Sequence, residues 1–414
     1  MNMYPLYIDP GTGSMLFSIL IGAAATIYFV ARAVIIKAKV LFSGGKTQAA
    51  KNRHKCVIYA EDKRYWNLFK PVVDEFEKRN FPILYLTSSK EDPCFESAYN
   101  NIVFEYIGEG NKAYARLNLI SADFVLMTTP GLDVYQLKRS KAVKHYSHLI
   151  HGTSDATLYR LFGLDYFDSI LLAGDYQGDD IRRLETLRGL PAKQLVTVGC
   201  PYLDLAAQRM PPVVPHPFTV LVSPSWGSSA LLTRYGEKLL DPLLDTGYNI
   251  IVRPHPQSKI SENAMLERLS LRYKDRDNIT WDYEIDNIFS LSKSDIMFSD
   301  FSGIILDYVF LYDKPVIYSN YSFDLRPYDA DDLDHEPWQF KTLKEIGIEL
   351  RESDFSSIGD VIQKASNSAS LTEARRIARD TAWQCRGKSG ALTADFVIET
   401  IEKNKIENTN EMKS

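Results

Sequence analysis

Beyond residue 55 the apolar positions of this chain fall into short runs, separated by stretches in which they recur every three or four residues. Runs such as CVIYA (56–60), ILYLT (83–87) and IMFS (296–299) have the length and β-branched content of buried strands. Strands are expected at 56–60, 83–87, 102–107, 124–128, 149–150, 169–173 and 195–198, with helices at 65–79 and about 177–188 between them. Residues 210–217 read MPPVVPHP, and four prolines there exclude helix and central strand, so this stretch is expected to connect two domains. A second alternation follows, with strands at 219–223, 249–252, 279–281, 296–299 and 316–319. Its helices are expected at 239–246, 261–272, 285–291 and 303–312, and closing helices near 357–365, 371–384 and 392–402. Strands alternating with helices on both sides of a proline hinge predict an α/β protein of two Rossmann-like, doubly wound domains. The first spans 55–209 and the second 218–404, with a polar tail at 405–414.

The N-terminus departs from this pattern. Residues 15–31 carry no charge, and the apolar character continues past Arg32 to residue 36. About 20 apolar residues are enough to span a bilayer, so a membrane helix is expected over about 15–36, within an anchor segment 1–42. Residues 1–14 hold no basic residue, which argues against a cleaved signal peptide. Basic residues follow the apolar run (Arg32, Lys37, Lys39, Lys46, Lys51, Arg53, Lys55), and no acidic residue lies between 32 and 55. The basic linker 43–54 therefore places the large C-terminal part on the cytoplasmic side of a cell membrane, in a single-pass arrangement. A net charge of -5 makes the whole chain no nucleic-acid binder by charge. The four cysteines are scattered without ligand or disulfide spacing, so neither a zinc site nor a disulfide framework is expected.

In doubly wound sheets, ligands bind beyond the carboxyl ends of the strands. Four motifs have that position. In SHLIHGTSD (147–155), His151 ends a strand, and Gly152 and Thr153 turn the chain out of it. Such a histidine serves as a general base or caps the strand end. In VSPSWGSS (222–229), Ser225 and Gly227 offer a hydroxyl and amide cradle for an anion, or form an ordinary turn. In RPHPQS (253–258), two prolines stiffen the exit from a strand, holding Arg253, a fork suited to phosphate, and His255. In SDFSGIILD (299–307), Asp300 or Ser302 caps a helix whose first amides, at Gly303 and beyond, face an anion. Asp307 lies one turn further along. Together these supply a site for a phosphate-rich donor. The chain has no GxGxxG, no P-loop and no GxSxG elbow, so a nicotinamide enzyme, a P-loop NTPase and a serine hydrolase are unsupported. The acidic run DADDLDHE (329–336) reads as a solvated loop in preference to a metal site.

HGT (151–153), VGCPYLD (198–204), SPSWG (223–227), IVRPHP (251–256) and SDFSG with Asp307 occur in an order and spacing that resembles the CDP-glycerol glycerophosphotransferases of teichoic-acid synthesis. The resemblance spans about residues 55–400. It implies a glycosyltransferase-B fold, glycerol-phosphate transfer from CDP-glycerol to a hydroxyl of a lipid-linked acceptor, release of CMP, and no cofactor or metal. It implies that His151 is the general base, that Arg253 and His255 bind the pyrophosphate, and that Ser302, with Asp300, marks the phosphate-binding helix start. Gly152, Thr153 and Asp155 fall on the acceptor side. Polymerising members carry a proline and a basic residue just after HGT, where this chain has Ser154, Asp155 and Ala156. A basic face at Arg375, Arg376, Arg379, Arg386 and Lys388 either holds acceptor phosphates or lipid headgroups or is a solvated helix face. The alternatives are a glycosyltransferase or epimerase using a nucleotide-sugar donor, and a non-catalytic membrane-tethered nucleotide-binding module.

Overall fold

The structure, a computed structural model, describes residues 53–411 apart from 213 and 285, together with 26–28 and 31. The chain divides into a segment, residues 1–53, and a body, residues 54–414. The membrane helix expected at about 15–36 lies outside the described residues, except for 26–28 and 31, which are helical and exposed. Among the described residues no helix is long and apolar enough to cross a membrane.

The body holds two parallel sheets. The first contains β1 (His54–Ala60), β2 (Ile83–Thr87), β3 (Ile102–Tyr106), β4 (Ala122–Met127), β5 (Tyr146–Leu149), β6 (Ser169–Leu172) and β7 (Gln194–Thr197). Their spatial order is β3-β2-β1-β4-β5-β6-β7. The second contains β8 (Thr219–Val222), β9 (Asn249–Val252), β10 (Ile279–Trp281), β11 (Ile296–Ser299), β12 (Val316–Ser319) and β13 (Gly347–Leu350), in the order β10-β9-β8-β11-β12-β13. Each order reverses once, between β1 and β4 and between β8 and β11. Those reversals open the crevices in which doubly wound sheets bind ligands.

Central strands such as β2 and β8, and β1 from Cys56 onward, are buried along their length because both faces of each sheet are covered there. Cys56, Ile58 and Ala60 of β1 face one core with Phe69, Val72 and Phe76 of the helix Trp66–Lys78. Val57 and Tyr59 face the opposite core with Ala113, Leu117 and Ile181. Burying a side chain such as Phe69 contributes about 1.5–3 kcal/mol. The C-terminal helix Ser389–Glu411 joins the first core through Ala394, Phe396 and Val397, so the chain crosses back to the sheet from which it started.

Two polar hubs tie the sheets' outer elements together. Asp204 accepts from the Trp383 indole at 2.9 Å and from the Ser389 amide at 3.1 Å, anchoring the return crossing. Gly199, just before it, has φ +91°, and a side chain there would also strike the Gln384 carbonyl. Arg188 pairs with Asp165, Asp329 and Asp332, and Asp329 also accepts from the Phe162 amide at 2.7 Å. Asp331, Asp332, Asp334 and Glu336 of the acidic run are exposed, as expected of a solvated loop, while buried Asp329 latches the run to Arg188. Among the described residues no group of His, Cys, Asp or Glu is arranged to hold a metal ion. Three arginines of the basic face are paired within the chain. Arg375 pairs with Asp313, Arg376 with Glu373, and Arg386 with Asp380.

Candidate functional site

At the crevice of the second sheet, the loop after β8 is moulded by one buried carboxylate. Asp300, directly after β11, accepts from the amides of Ser225 at 3.0 Å, Leu231 at 2.8 Å and Phe301 at 2.7 Å. Its oxygens are thus committed to the chain, which makes Asp300 the organiser of the SPSWG loop instead of a direct ligand contact. Ser225 is buried, and its hydroxyl has no hydrogen-bond partner among the described residues. Gly227 has φ +92°, a conformation that favours glycine, and its amide donates to Glu262 at 3.2 Å.

At the end of β9 the two prolines separate the roles of their neighbours. Arg253 turns inward: it donates to Asp282 at 2.5 Å and to the Glu284 carbonyl at 2.8 Å. It braces the β9 and β10 exits, and both terminal nitrogens are engaged within the chain, contrary to the expectation of a guanidinium reaching over the cleft. His255 is half-buried and stands beside the exposed ring of Trp226, 6.4 Å between centroids. Its Nδ1 accepts from the Gln257 amide at 3.1 Å, which leaves the ring proton on Nε2. His255 therefore offers a donor. Burial lowers its pKa, opposed by Asp300 and Glu262, with Arg64 lowering it further.

The third motif opens the helix Ile304–Tyr312. Ser302 and Gly303 stand at its start, and no side chain caps it. The amides of Ile305 and Leu306 bond back to Ser302 and Gly303 carbonyls. Gly303 faces the first sheet's loop: a Cβ built on it would lie 3.4 Å from the Ser154 hydroxyl. One turn later, Asp307 faces Tyr202 of VGCPYLD, whose hydroxyl donates to it at 3.3 Å. Burial pushes the Asp307 carboxyl up to about 7.

On the first sheet, β5 ends one residue before Ile150, and His151 follows. The residue is exposed. Its Nδ1 lies 2.9 Å from the Tyr159 hydroxyl and 3.4 Å from Thr128 Oγ1. The Tyr65 ring meets it edge-on at 5.7 Å. Crowding by these walls, and to a lesser degree Arg64, lowers its pKa to about 4. His151 is thus a neutral imidazole at neutral pH. The HGTS backbone is held from behind: Gln177 donates to the Gly152 and Ser154 carbonyls at 3.3 and 2.8 Å, and Tyr176 to the Thr153 carbonyl at 2.5 Å. Asp155 is buried and accepts from the Gln339 amide at 2.7 Å. It caps the helix Trp338–Ile346 from the other half and does not face an acceptor. Burial raises its pKa to about 6, opposed by the Gln339 amide.

Arg64 follows β1, and its charge is a minor influence on both His151 and His255. A cavity of about 320 Å³ opens beside it, lined by Asn67, Tyr202 and Arg209 from one half and Asp286 and Asn287 from the other. The motif reading missed Arg64, Tyr65, Tyr159 and Gln177. The first was accessible by the same rule that found the others, because EDKR (61–64) stands at the carboxyl end of the first strand.

Two facing Rossmann-like sheets with their motifs at the crevice define an α/β protein of the glycosyltransferase-B type. The chain is similar in fold to a structure of the wall teichoic acid polymerase TagF (14% identity, TM-score 0.51, covering 84% of this chain and 89% of that one). It is also similar to UDP-N-acetylglucosamine 2-epimerases from Rickettsia bellii (12%, 0.54, 85% and 97%) and Methanocaldococcus jannaschii (12%, 0.51, 84% and 100%). No curated protein matches the sequence. Residues 225–384 match the model of the family described as CDP-Glycerol:Poly(glycerophosphate) glycerophosphotransferase. That segment contains the second-sheet candidates from Ser225 to Asp307, whereas the His151 loop lies before it.

Proposed function

We propose that this protein transfers glycerol phosphate, or a related polyol phosphate, from a CDP-activated donor to an acceptor hydroxyl, releasing CMP. What supports the reading is that a neutral histidine, His151, and an Nε2–H donor, His255, end strands of the two sheets and both feel the charge of Arg64. The family of residues 225–384 supplies the donor class. In the reaction, His151 takes the acceptor hydroxyl's proton, and the oxygen bonds to the phosphorus that carries the polyol. The bond from that phosphorus to the bridging oxygen breaks, and the electron pair leaves on CMP. His255, Arg64 and the start of the helix Ile304–Tyr312 offset the charge on the phosphate oxygens. The reading invokes no cofactor or metal.

The acceptor is proposed to be lipid-linked, with the chain anchored by its N-terminal apolar segment and its catalytic body on the cytoplasmic face. The apolar stretch 15–31 and the basic residues that follow it support this placement. Calorimetry with CDP-glycerol, CDP-ribitol, UDP-sugars and CMP tests the donor. Tight binding of a CDP-polyol, with CMP release lost in His151→Ala, is the expected result. Preference for a UDP-sugar would replace this reading with the epimerase or glycosyltransferase one, and no nucleotide binding at all would leave a tethered, non-catalytic protein.

A further inference from the structure

His148 is a histidine within β5, fully buried, three residues before His151. Its ring meets Tyr159 edge-on at 5.1 Å and Phe167 at 5.1 Å. Its Nε2 lies 3.1 Å from the Tyr159 hydroxyl, and that same hydroxyl lies 2.9 Å from His151 Nδ1. One phenol therefore bridges two imidazoles. A phenol has one proton to give and two lone pairs with which to accept. The direction of the chain decides which nitrogen of His151 carries hydrogen.

Two directions are possible in principle. If His148 holds its proton on Nδ1, its Nε2 accepts from Tyr159. The phenol oxygen then accepts from His151 Nδ1–H, and His151 Nε2 is bare. If His148 holds its proton on Nε2, every bond reverses, and His151 Nε2 carries hydrogen and takes no proton from a substrate. The role proposed for His151 settles the choice. Tyr159 occupies its Nδ1, so Nε2 is the nitrogen left for the acceptor's proton and must be bare. His151 Nδ1 then carries the hydrogen and donates to the phenol oxygen, Tyr159 donates to His148 Nε2, and the His148 proton sits on Nδ1.

We propose that His148 and Tyr159 are positioning residues that fix His151 as the Nδ1–H tautomer, with Nε2 bare toward the cleft. This rests on His151 being the base of the proposed transfer. The tautomer itself is measurable without any reaction. Nitrogen-15 histidine is incorporated into the full chain, and ring nitrogen shifts are read, with His151→Ala identifying the His151 signals. The wild type is expected to show Nδ1 protonated and Nε2 bare. Tyr159→Phe removes only the hydroxyl and is expected to lose that pattern. It should also lower kcat with the CDP-polyol donor about tenfold or more, while KM changes less than about twofold. His148→Gln retains an acceptor for the phenol and should keep more turnover than His148→Leu. A wild-type His151 protonated at Nε2 overturns the proposal, as does a Tyr159→Phe protein with unchanged tautomer and turnover. If His148→Leu fails to fold, the Tyr159→Phe result decides alone. If His151→Ala remains active, the base reading fails whatever the tautomer.

Discussion

Arg253 Nη1 donates to Asp282 Oδ2 at 2.5 Å, and both side chains are about a tenth exposed. The Ser290 hydroxyl and the Glu284 amide also donate to Asp282. Burial alone would raise the Asp282 pKa, but these bonds outweigh it and hold the carboxyl below its ordinary value. Removing one member of such a pair leaves a buried charge uncompensated, a cost of about 3–5 kcal/mol. Arg253→Ala and Asp282→Ala should therefore show similar losses in denaturant melts, and the double variant should lose far less than the sum. The stabilisation from Asp282 is present above the ordinary aspartate pKa and disappears as pH falls through its depressed value. An Arg253→Ala protein with wild-type stability and weakened donor binding would show instead that this arginine serves the ligand.

The depressed pKa of His151 sets the acid limb of activity. With a value of about 4, the ring is neutral at pH 7 and is already an acceptor of protons. The turnover rate should hold level as pH falls from 7 toward about 5, and drop as the ring protonates below that. His151→Ala should lower kcat by about a hundredfold or more, with donor KM little changed, because general-base loss acts on the chemical step. A limb centred near the ordinary histidine value of 6.5 would place the titrating group elsewhere.

Why the sequence discloses some of this and not the rest follows from what each feature depends on. Strands such as CVIYA and IMFS are legible because both faces are buried and every residue is apolar. β13 is not, because GIEL is four residues long at a sheet edge. The helices Asn111–Leu117 and Trp338–Ile346 carry weak or short periodicity and were likewise absent from the expected set. Motif position is local, so His151, His255 and Gly303 could be placed at strand ends from sequence. Partner identity is not local. That Arg253 answers to Asp282, 29 residues away, and Asp155 to Gln339, 184 residues away, is fixed only by tertiary packing. A buried ion pair and a phosphate-binding arginine look alike in a one-dimensional motif.

Asp307 predicts a pH-dependent stability. Its carboxyl titrates near 7 in the fold against 3.8 ordinarily, because burial disfavours the charged form and the Tyr202 hydroxyl offsets this only in part. The fold is therefore penalised as pH rises above 3.8, and the penalty is complete once pH passes about 7. Asp307→Asn keeps the shape and removes the charge. Its melting temperature should exceed the wild type's at pH 8 and approach it near pH 4. A difference that does not vary with pH would mean that Asp307 is not titrating in the folded protein.

Asp300 predicts an effect on donor binding that is transmitted through the loop. Its carboxylate receives the Ser225, Leu231 and Phe301 amides, and the loop between the first two carries Trp226 and Gly227. In Asp300→Asn one oxygen can still accept, but the amide nitrogen confronts chain N–H donors. Each bond lost to a charged acceptor is worth about 1.5–3 kcal/mol. The melting temperature should fall, and hydrogen exchange should quicken at the amides of Ser225 and Leu231 before it does in β8 or β11. Donor KM should rise more than kcat falls, because the loop is displaced while His151 stands on the other sheet. If Asp300 instead contacted the donor directly, Asp300→Asn would weaken donor binding with loop exchange unchanged. Exchange at Ser225 and Leu231 therefore separates a moulding role from a contacting one.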